Sequence, residues 1–399
     1  MTPSVRRARQ PFGGAAPEAD VPVDAEDLAR LLLRKAAAAR DPEAALVGDA
    51  VIAAAAHAPE GAWRALAGAA EFHRVTPLLA PVVAACADAR PAPPAFSHVR
   101  RTFAVLAARH RRAALARERC IDRLLTALSH AGIPVVLLKG AALAHLLYGE
   151  PALRAMADVD LLVDPRDGAR AADVARQLGY AFERPPTSRF ASRRHHHLPV
   201  ATTTEDGFAV ALEIHTDALA LEHRERMPFS TVAASARTFS RGSGPDGRAL
   251  GHVDMLRHLS RHTFGPARRV RLIHLYDLWR YPAVHRDEID WGALRARFPH
   301  VTVAIELAAQ VFSPRRTRVA SGVGRGMIPL SEIAACERGA RRKLAALLNP
   351  PPWWMHGFYG VPPERSLLLC RTVRHPATLA RWMSTRLASR LSAPVAAAR

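Results

Sequence analysis

Two aspartates in the stretch MADVDLLVD have a spacing suited to metal-ion chemistry. Asp158 and Asp160 lie two positions apart in an apolar run, and in a β-strand this spacing places both side chains on one face. Their carboxylates would then repel each other across about 6.6 Å of backbone, and a divalent cation between them is the simplest way to balance that charge. The pair therefore predicts a metal site on a strand; the alternative is a strand end whose acids face water.

A third carboxylate, Glu213, interrupts the apolar run VALEIHT. If it meets the two aspartates in the folded chain, the three side chains have the composition of a site for two Mg²⁺ ions about 3.5–4 Å apart. Such a pair of ions serves phosphoryl transfer, in which one ion binds nucleotide phosphates and the other activates the attacking hydroxyl. An ordinary edge-strand glutamate is the alternative for Glu213.

A Lys-Gly pair ends the preceding apolar run, IPVVLLKG. At the start of a helix, Gly140 would let a phosphate approach backbone N–H groups at the positive end of the helix dipole. Lys139 would neutralise part of the charge of a triphosphate. We therefore expect both residues in a nucleotide-binding site, with a tight turn beside a solvated lysine as the alternative.

Arg154 and His215 are further candidates for contacting a nucleotide. Arg154 precedes Asp158 by four residues, where its guanidinium would bind a γ-phosphate or pair with that aspartate or a neighbouring acid. His215 shares a strand face with Glu213, so it would orient a metal ligand, contact a phosphate or have a structural role alone. The sequence leaves these alternatives open.

Three consecutive histidines at 195–197 invite comparison with a transition-metal site. Adjacent residues of a strand point to opposite sides, so at most two of the three could reach one ion. We instead expect His195 or His197 to face the nucleotide-binding cleft, with a solvated loop as the alternative.

Hydrophobic periodicity indicates the elements that position these residues. Apolar residues recur at helical spacing from 25 to 130, with a break at the PAPPAF segment, 91–96. The period then changes, and the pattern predicts strands at 133–138, 157–163, 196–203 and 208–215 and helices at 140–148 and 166–178. Glu205-Asp206-Gly207 predicts a hairpin turn between the last two strands. A linker is expected at 240–248, followed again by helices.

The sequence therefore predicts an α+β fold with a small mixed-sheet core at 131–240. An N-terminal helical region at 25–130 and a C-terminal helical domain with a basic tail at 249–399 would flank it. Residues 1–24 mix Arg, Pro, Gly and Ala without periodicity and are expected to form a disordered tail.

Composition restricts the class of protein. With 399 residues, 49% of them hydrophobic, the chain can bury ordinary cores, but no run approaches the roughly 20 apolar residues of a membrane span. We find no pattern of a secretory signal, and we expect a cytoplasmic protein without integral membrane insertion. Four cysteines without CxxC spacing argue against a zinc knuckle. The net charge of +20 would attract phosphates or nucleic acid, although arginine-rich codon usage would raise it equally.

An ordered set of motifs resembles a known family. The stretches LLKGAAL, DVDLLV, HHHLP and LEIH, together with Tyr148 and Arg154, are similar to the bacterial uncharacterised nucleotidyltransferase family of the DNA polymerase beta-like superfamily. This similarity extends from about residue 133 to 215. Looser similarity continues in FHRVTPLLAP, HLSRHTF and RLIHLYDLWRY.

The resemblance implies roles for individual residues. Asp158 and Asp160 would be metal ligands, Glu213 the third carboxylate, and Gly140 the glycine of the phosphate-binding turn. The chain departs from the superfamily at Ala141, where serine or another glycine is usual. Lys139 and backbone amides would then hold the triphosphate without a hydroxyl.

The predicted activity is Mg²⁺-dependent transfer of a nucleoside monophosphate from a nucleoside triphosphate to a hydroxyl, releasing pyrophosphate. Glu213 is a candidate general base. The acceptor is open: a small molecule, a sugar, a peptide, a protein or RNA. One alternative is a nucleotide- or RNA-binding protein without chemistry, which the net charge and the missing hydroxyl at position 141 favour. The other is a phosphoryl transferase that uses the same metal site.

Overall fold

The structure of this protein is a computed structural model. It describes residues 24–38, 51–52, 54–55, 57–88, 94–183, 197–219, 225–242, 244–265, 270–312 and 348–391. The predicted tail at 1–24 (except Asp24), His195 of the histidine run and the last eight residues of the predicted basic tail lie outside the described residues.

The N-terminal part is helical, as predicted. Its helices are α1 (Ala25–Ala38), α2 (Glu60–Phe72), α3 (Thr76–Asp88) and α4 (Pro94–His130). The long helix α4 begins inside the predicted break, because a proline fits the first turn of a helix, where no backbone N–H is needed. It packs against α3, α2 and strands of the sheet, so its residues reach both the helical region and the core.

A mixed sheet forms the centre, which confirms the predicted α+β class. The strands are β1 (Val135–Leu137), β2 (Asp158–Val163), β3 (Ala181–Phe182), β4 (Ala201–Glu205), β5 (Phe208–His215), β6 (Arg237–Phe239) and β7 (Gly247–Ala249). Their order is β3-β4-β5-β2-β1-β7-β6. β2 is parallel to β5 and β1 is parallel to β7, whereas the other neighbours are antiparallel.

The structure differs from the sequence-based prediction at 240–248. We expected a linker, but Gly247 and Arg248 belong to β7, which pairs with β6 and with β1. Gly247 is needed for packing, since a Cβ there would lie 2.5 Å from Cζ of Phe239. The short strands β3, β6 and β7 were not predicted at all, because two or three residues carry no periodicity.

Helices cover the sheet and continue beyond it. They are α5 (Lys139–Leu146), α6 (Gly168–Gln177), α7 (Phe229–Val232), α8 (His252–Thr263), α9 (Leu272–Val284), α10 (Trp291–Arg297), α11 (Pro299–Phe312), α12 (Pro352–Tyr359) and α13 (His375–Leu391). Within the described ranges, no helix combines the length and the apolar character that crossing a bilayer requires.

One apolar core joins the three predicted regions. It runs without interruption from the N-terminal helices through the sheet to α11. Its fully buried members include Leu32, Phe103, Val136, Leu212, Leu278 and Phe312. The flanking helices are therefore packed into the same unit as the sheet. Among the described residues, a small second cluster forms around Trp354 and Met355.

The β4–β5 hairpin is attached to α4 by ion pairs. Asp206 and Gly207 both adopt left-handed backbone angles, with φ of 49° and 77°, as a two-residue turn between twisted strands requires. Arg119 Nε and Arg123 Nη2 donate to the Glu205 carboxylate at 3.0 and 2.5 Å. These contacts fix the position of β5, the strand that carries Glu213.

A buried histidine joins the end of α2 to the start of α9. The Nδ1 atom of His73 accepts a hydrogen bond from the backbone N–H of Leu272 at 3.2 Å. Burial, together with the nearby charge of Arg271, lowers the pKa of His73 from 6.5 to about 4. The imidazole is therefore neutral at neutral pH, which the accepting role of Nδ1 requires.

We expect this histidine to make the fold sensitive to mild acid. The folded pKa of His73, about 4, lies below the unfolded value of 6.5. Between these pH values the histidine is protonated in the unfolded chain and neutral in the folded chain. The contribution of His73 to the free energy of unfolding is present above pH 6.5 and is lost as the pH falls toward 4. At pH 5 the loss is about 2 kcal/mol. Denaturant unfolding of His73→Asn should show a correspondingly smaller drop between pH 7 and pH 5, because the amide oxygen accepts the same bond without titrating.

The exposed His57→Asn provides the control and should retain the pH dependence of the wild type. An equal loss of stability in wild type and His73→Asn would show that His73 is not the responsible group.

Candidate functional site

The parallel pairing of β2 and β5 brings the predicted carboxylates together. Asp160 lies directly opposite Glu213, and Asp158 lies opposite Ala211. Residues opposite each other in a sheet share a face, so all three acids point to one side. The sequence placed these acids on strands; the structure adds that the two strands are neighbours and that their register is aligned.

The other face of these strands fixes that register. Val159, Leu161 and Val163 of β2 and Leu212 and Ile214 of β5 are almost completely buried. A slip of one residue would turn the acids into this apolar layer and the aliphatic side chains out of it. The alternation of acidic and aliphatic residues thus determines where the carboxylates lie.

Two cationic or hydrogen-bonding side chains occupy the space between the carboxylates. Lys139 Nζ donates to Asp160 Oδ1 at 2.5 Å and lies 4.0 Å from Glu213 Oε2. The His215 Nε2 atom lies 2.7 Å from the same Asp160 oxygen and 3.3 Å from Glu213 Oε2. Since a carboxylate oxygen accepts on each side, Nε2 carries the proton and donates to them. His215 therefore orients both acids.

Lys139 reaches Asp160 from a strained backbone position. It is the first residue of α5 and has a φ of 45°, a left-handed conformation that residues other than glycine adopt rarely and at a cost. The preceding residue is fixed to the site strand, because the backbone N–H of Leu138 donates to the carbonyl of Asp160 at 3.0 Å. The buried ion pair between Lys139 and Asp160 compensates this strain. Strained backbone of this kind tends to occur at functional sites, and Lys139 lies in the candidate site.

The three carboxylates differ in their electrostatic environment. Burial alone would raise the pKa of Asp160, but Lys139 and His215 outweigh it and hold that pKa far below its ordinary value. The pKa of Glu213 is lowered by the hydrogen bond from His215, against the opposing effect of burial. Burial and the charge of Asp160 raise the pKa of Asp158. The positively charged and hydrogen-bonding groups therefore lie around Asp160. Of the three carboxylates, Asp158 has the negative charge that its surroundings stabilise least.

The donor set fits a divalent cation. Ligand atoms of Asp160, Glu213 and His215 all lie within 4.8 Å of one another. Mg²⁺ prefers carboxylate oxygens to imidazole nitrogen, and His215 uses its Nε2 proton to orient the acids, so the carboxylates are the better ligands. Asp158 is outside this group of three, two residues earlier on the same strand face.

The remaining residues predicted near the phosphates are found at the edge of the site. The ring of His197 lies 5.4 Å from that of His215, and its Nδ1 donates to the carbonyl of Leu198 at 2.6 Å. Gly140 is the second residue of α5, and a Cβ there would lie 3.1 Å from Cβ of Met156. Close packing is thus one reason for a glycine at 140; its role toward a phosphate stays a prediction.

Arg154 is placed differently from the predicted phosphate clamp. Its Nε and Nη2 atoms bind the carboxylate of Asp277 in α9, with Nη2 at 2.6 Å from Oδ2. Its Nη1 donates to the carbonyl of Ala155 at 2.6 Å, and Tyr148 donates its hydroxyl to the same aspartate. The structure therefore corrects the sequence-based expectation: of the two alternatives, it shows an ion pair, and the acid is neither Asp158 nor its neighbour.

Sequence reasoning missed three charged residues near the site. Asp277 lies in RLIHLYDLWRY and Arg74 in FHRVTPLLAP, two stretches that already showed loose family similarity, so a signal was present. Arg117 lies in the arginine-rich helix α4, where no pattern distinguishes it from the solvated arginines around it. The charges of Arg74 and Arg117 both act on Asp158.

The Arg154–Asp277 pair should be important for stability. We expect Asp277→Ala to lower the free energy of unfolding by about 3–5 kcal/mol, because it leaves a buried guanidinium and the Tyr148 hydroxyl without their acceptor. Urea unfolding monitored by circular dichroism measures this. The exposed Asp287→Ala should change stability by no more than about 0.5 kcal/mol. Equal stability of the two variants would mean that the pair contributes nothing.

Comparisons with known proteins identify the family of this chain. Residues 59–309 match a family described as uncharacterised nucleotidyltransferase. No curated protein is similar enough to count as a match. Among solved structures, the chain is similar to the solution structure of the antibiotic-resistance factor ANT(2'')-Ia, with 15% identity, a TM-score of 0.33, and coverage of 48% of this chain and 96% of that one. Because the family match includes more than half of the sequence, this protein belongs to the uncharacterised nucleotidyltransferase family.

Proposed function

We propose that this protein transfers a nucleoside monophosphate from a nucleoside triphosphate to a hydroxyl group of an acceptor. The observation that carries the proposal is the register of β2 and β5, which places Asp160 opposite Glu213 with Asp158 on the same face. Membership of a nucleotidyltransferase family supports the same reaction class. A purely structural strand pair would have no need of three acids on one face.

The reaction balances as a single displacement at phosphorus. The acceptor oxygen forms a bond to the α-phosphorus, and the bond from that phosphorus to the oxygen bridging to the β-phosphate breaks. Pyrophosphate leaves with the electron pair of that bond, and the acceptor proton passes to Glu213. The Glu213 side chain is 22% exposed whereas that of Asp160 is 2% exposed, so an acceptor hydroxyl can approach Glu213.

In this scheme, Asp158, Asp160 and Glu213 would be the ligands of two Mg²⁺ ions. When bound, Mg²⁺ neutralises charge on the phosphates and lowers the pKa of the attacking hydroxyl. His215 keeps the carboxylates of Asp160 and Glu213 oriented through its Nε2 proton. Lys139, whose ammonium balances Asp160 in the structure, would transfer its hydrogen bonds to a phosphate oxygen.

Asp160→Asn should reduce Mg²⁺-dependent nucleotide transfer by about 100-fold or more, since it removes a charge that the phosphate-bound cation needs while keeping the side-chain shape. The measurement incubates the protein with each labelled nucleoside triphosphate, Mg²⁺ and a lysate, and follows both pyrophosphate release and labelled product. Asp173→Asn, an exposed change in α6, is the control. Retained activity in Asp160→Asn would exclude the mechanism.

A second candidate function is to bind a nucleotide without catalysing a reaction. The Lys139–Asp160 ion pair favours it, because the lysine balances the charge of the carboxylate without any metal. In that case nucleotide would bind equally well with and without a chelator, and no pyrophosphate would appear. A phosphoryl transferase would instead attack the γ-phosphorus. The mass added to the acceptor distinguishes the two transfers, because one product gains a nucleotide and the other a phosphate.

A further inference from the structure

Exposed aliphatic side chains are concentrated on the last helical segment that the structure describes. This segment begins at Leu368, passes through a π-helical turn at Cys370–Arg374 and continues as α13. Of the eight large hydrophobic side chains that are exposed in the described ranges, four lie between 368 and 383. Single exposed aliphatic residues are ordinary, but a group of them on one surface indicates a contact with something apolar.

Helical spacing places most of these side chains in one row. The row consists of Leu369, Val373, Pro376, Ala380 and Met383, which follow each other at intervals of four and three residues and so return to about the same face of a helix. All five residues are exposed, and the fractions for the leucine, valine and methionine are 57%, 55% and 67%. A surface helix normally turns such a row toward the core, whereas this apolar row faces solvent.

The opposite side of the segment is packed against α12, and its contacts fix the orientation of the helix. Cys370 is 2% exposed and belongs to the second apolar cluster. The ring of Trp382 lies 5.9 Å from that of Phe358, and the Tyr359 hydroxyl lies 2.9 Å from Nδ1 of His375. Rotating the helix to bury the apolar row would break these contacts. The packing of the inner side therefore keeps the row at the surface.

The charged residues of this segment are all positive. Residues 365–391 contain six arginines and no aspartate or glutamate, and the nearest preceding acid is Glu364. Arg365, Arg371 and Arg374 are exposed near the start of the apolar row. Because no acid of the same segment balances these guanidinium groups, the surface beside the row attracts anions.

An apolar row beside arginines has the chemistry of a helix that lies in the interface of an anionic membrane. The aliphatic side chains would enter the boundary between headgroups and acyl chains, and the arginines would bind the anionic headgroups. A nucleic acid would bind the arginines but would leave the aliphatic row in water. A second copy of this chain would cover the row, but symmetric pairing would bring the arginines of both copies together.

We propose that the protein docks peripherally on an anionic lipid surface through the apolar row and the arginines beside it. The surface lies outside the residues of the candidate site, and the inference does not depend on the proposed function. Both components are needed: the apolar row supplies buried area, and the arginines select anionic lipid over zwitterionic lipid.

Sedimentation of the full chain with lipid vesicles tests this surface. Vesicles of phosphatidylcholine and phosphatidylglycerol should bind the wild type, and vesicles of phosphatidylcholine alone should bind it at least about 10-fold more weakly. Leu369→Gln/Val373→Gln should weaken binding to the anionic vesicles about 10-fold or more, because the apolar area in contact with lipid is lost. The matched control, Val105→Gln/Leu115→Gln, changes one exposed valine and one exposed leucine of α4 and should bind like wild type.

A second pair of variants tests the position of the charge. Arg371→Gln/Arg374→Gln should weaken binding to the anionic vesicles about 10- to 30-fold, because each arginine near the lipid contributes about fivefold. Arg100→Gln/Arg101→Gln removes the same charge from exposed positions on α4 and should have little effect. This comparison separates a docking surface from the general attraction of a chain with a net charge of +20.

Four results would overturn the inference: no binding of the wild type to anionic vesicles, equal binding to both kinds of vesicle, unchanged binding of Leu369→Gln/Val373→Gln, or an equal loss in the α4 variants. Circular dichroism establishes that each variant folds, and if a double variant does not, Met383→Gln decides. Without vesicle binding, a dimer that dissociates in Leu369→Gln/Val373→Gln would assign the row to a second copy. RNA binding that is lost in Arg371→Gln/Arg374→Gln would instead assign the arginines to nucleic acid.

Discussion

The buried carboxylate of Asp160 is the charge on which the arrangement of the site depends. A carboxylate that is 2% exposed is stable in an interior only if it is paired and hydrogen-bonded. Lys139 and His215 supply those contacts, and each comes from a different element. The β1–α5 junction and the end of β5 must therefore meet β2 at one point. The left-handed backbone of Lys139 is a cost that this meeting imposes.

A second buried charge joins the sheet to the helices that follow it. Arg154 precedes β2 and binds Asp277 of α9, with the Tyr148 hydroxyl on the same carboxylate. Breaking such a pair is more costly than never having it, because a lone buried ion remains. The loop that leads into the site strand is thus fixed by a helix 123 residues away in the sequence. Its geometry follows from packing between distant segments.

The sequence predicts those parts of the site that depend on local pattern. The acids of β2 and β5 interrupt aliphatic runs, and alternation alone places them on one face of each strand. The alignment of Asp160 with Glu213 is a long-range pairing that alternation does not determine. The partner of Arg154 could not be predicted, because Asp277 resembles any polar residue of an amphipathic helix. The segment 240–248 was interpreted as a linker, since its short β-strand is recognisable only from its pairing with β6 and β1.

The site is shared among segments that the sequence assigned to three separate regions. The turn after α2 carries Arg74, α4 carries Arg117, the sheet carries the acids, and the start of α9 holds the turn in place. One continuous core includes all of them. The family match from 59 to 309 also extends from α2 into α11, well beyond the sheet. A strand pair with three acids concentrates negative charge, and the positive charges of Arg74 and Arg117, which act on Asp158, offset part of it. The helices on both sides of the sheet therefore share one apolar core with the strands that carry the acids, so a change in their packing can displace those acids.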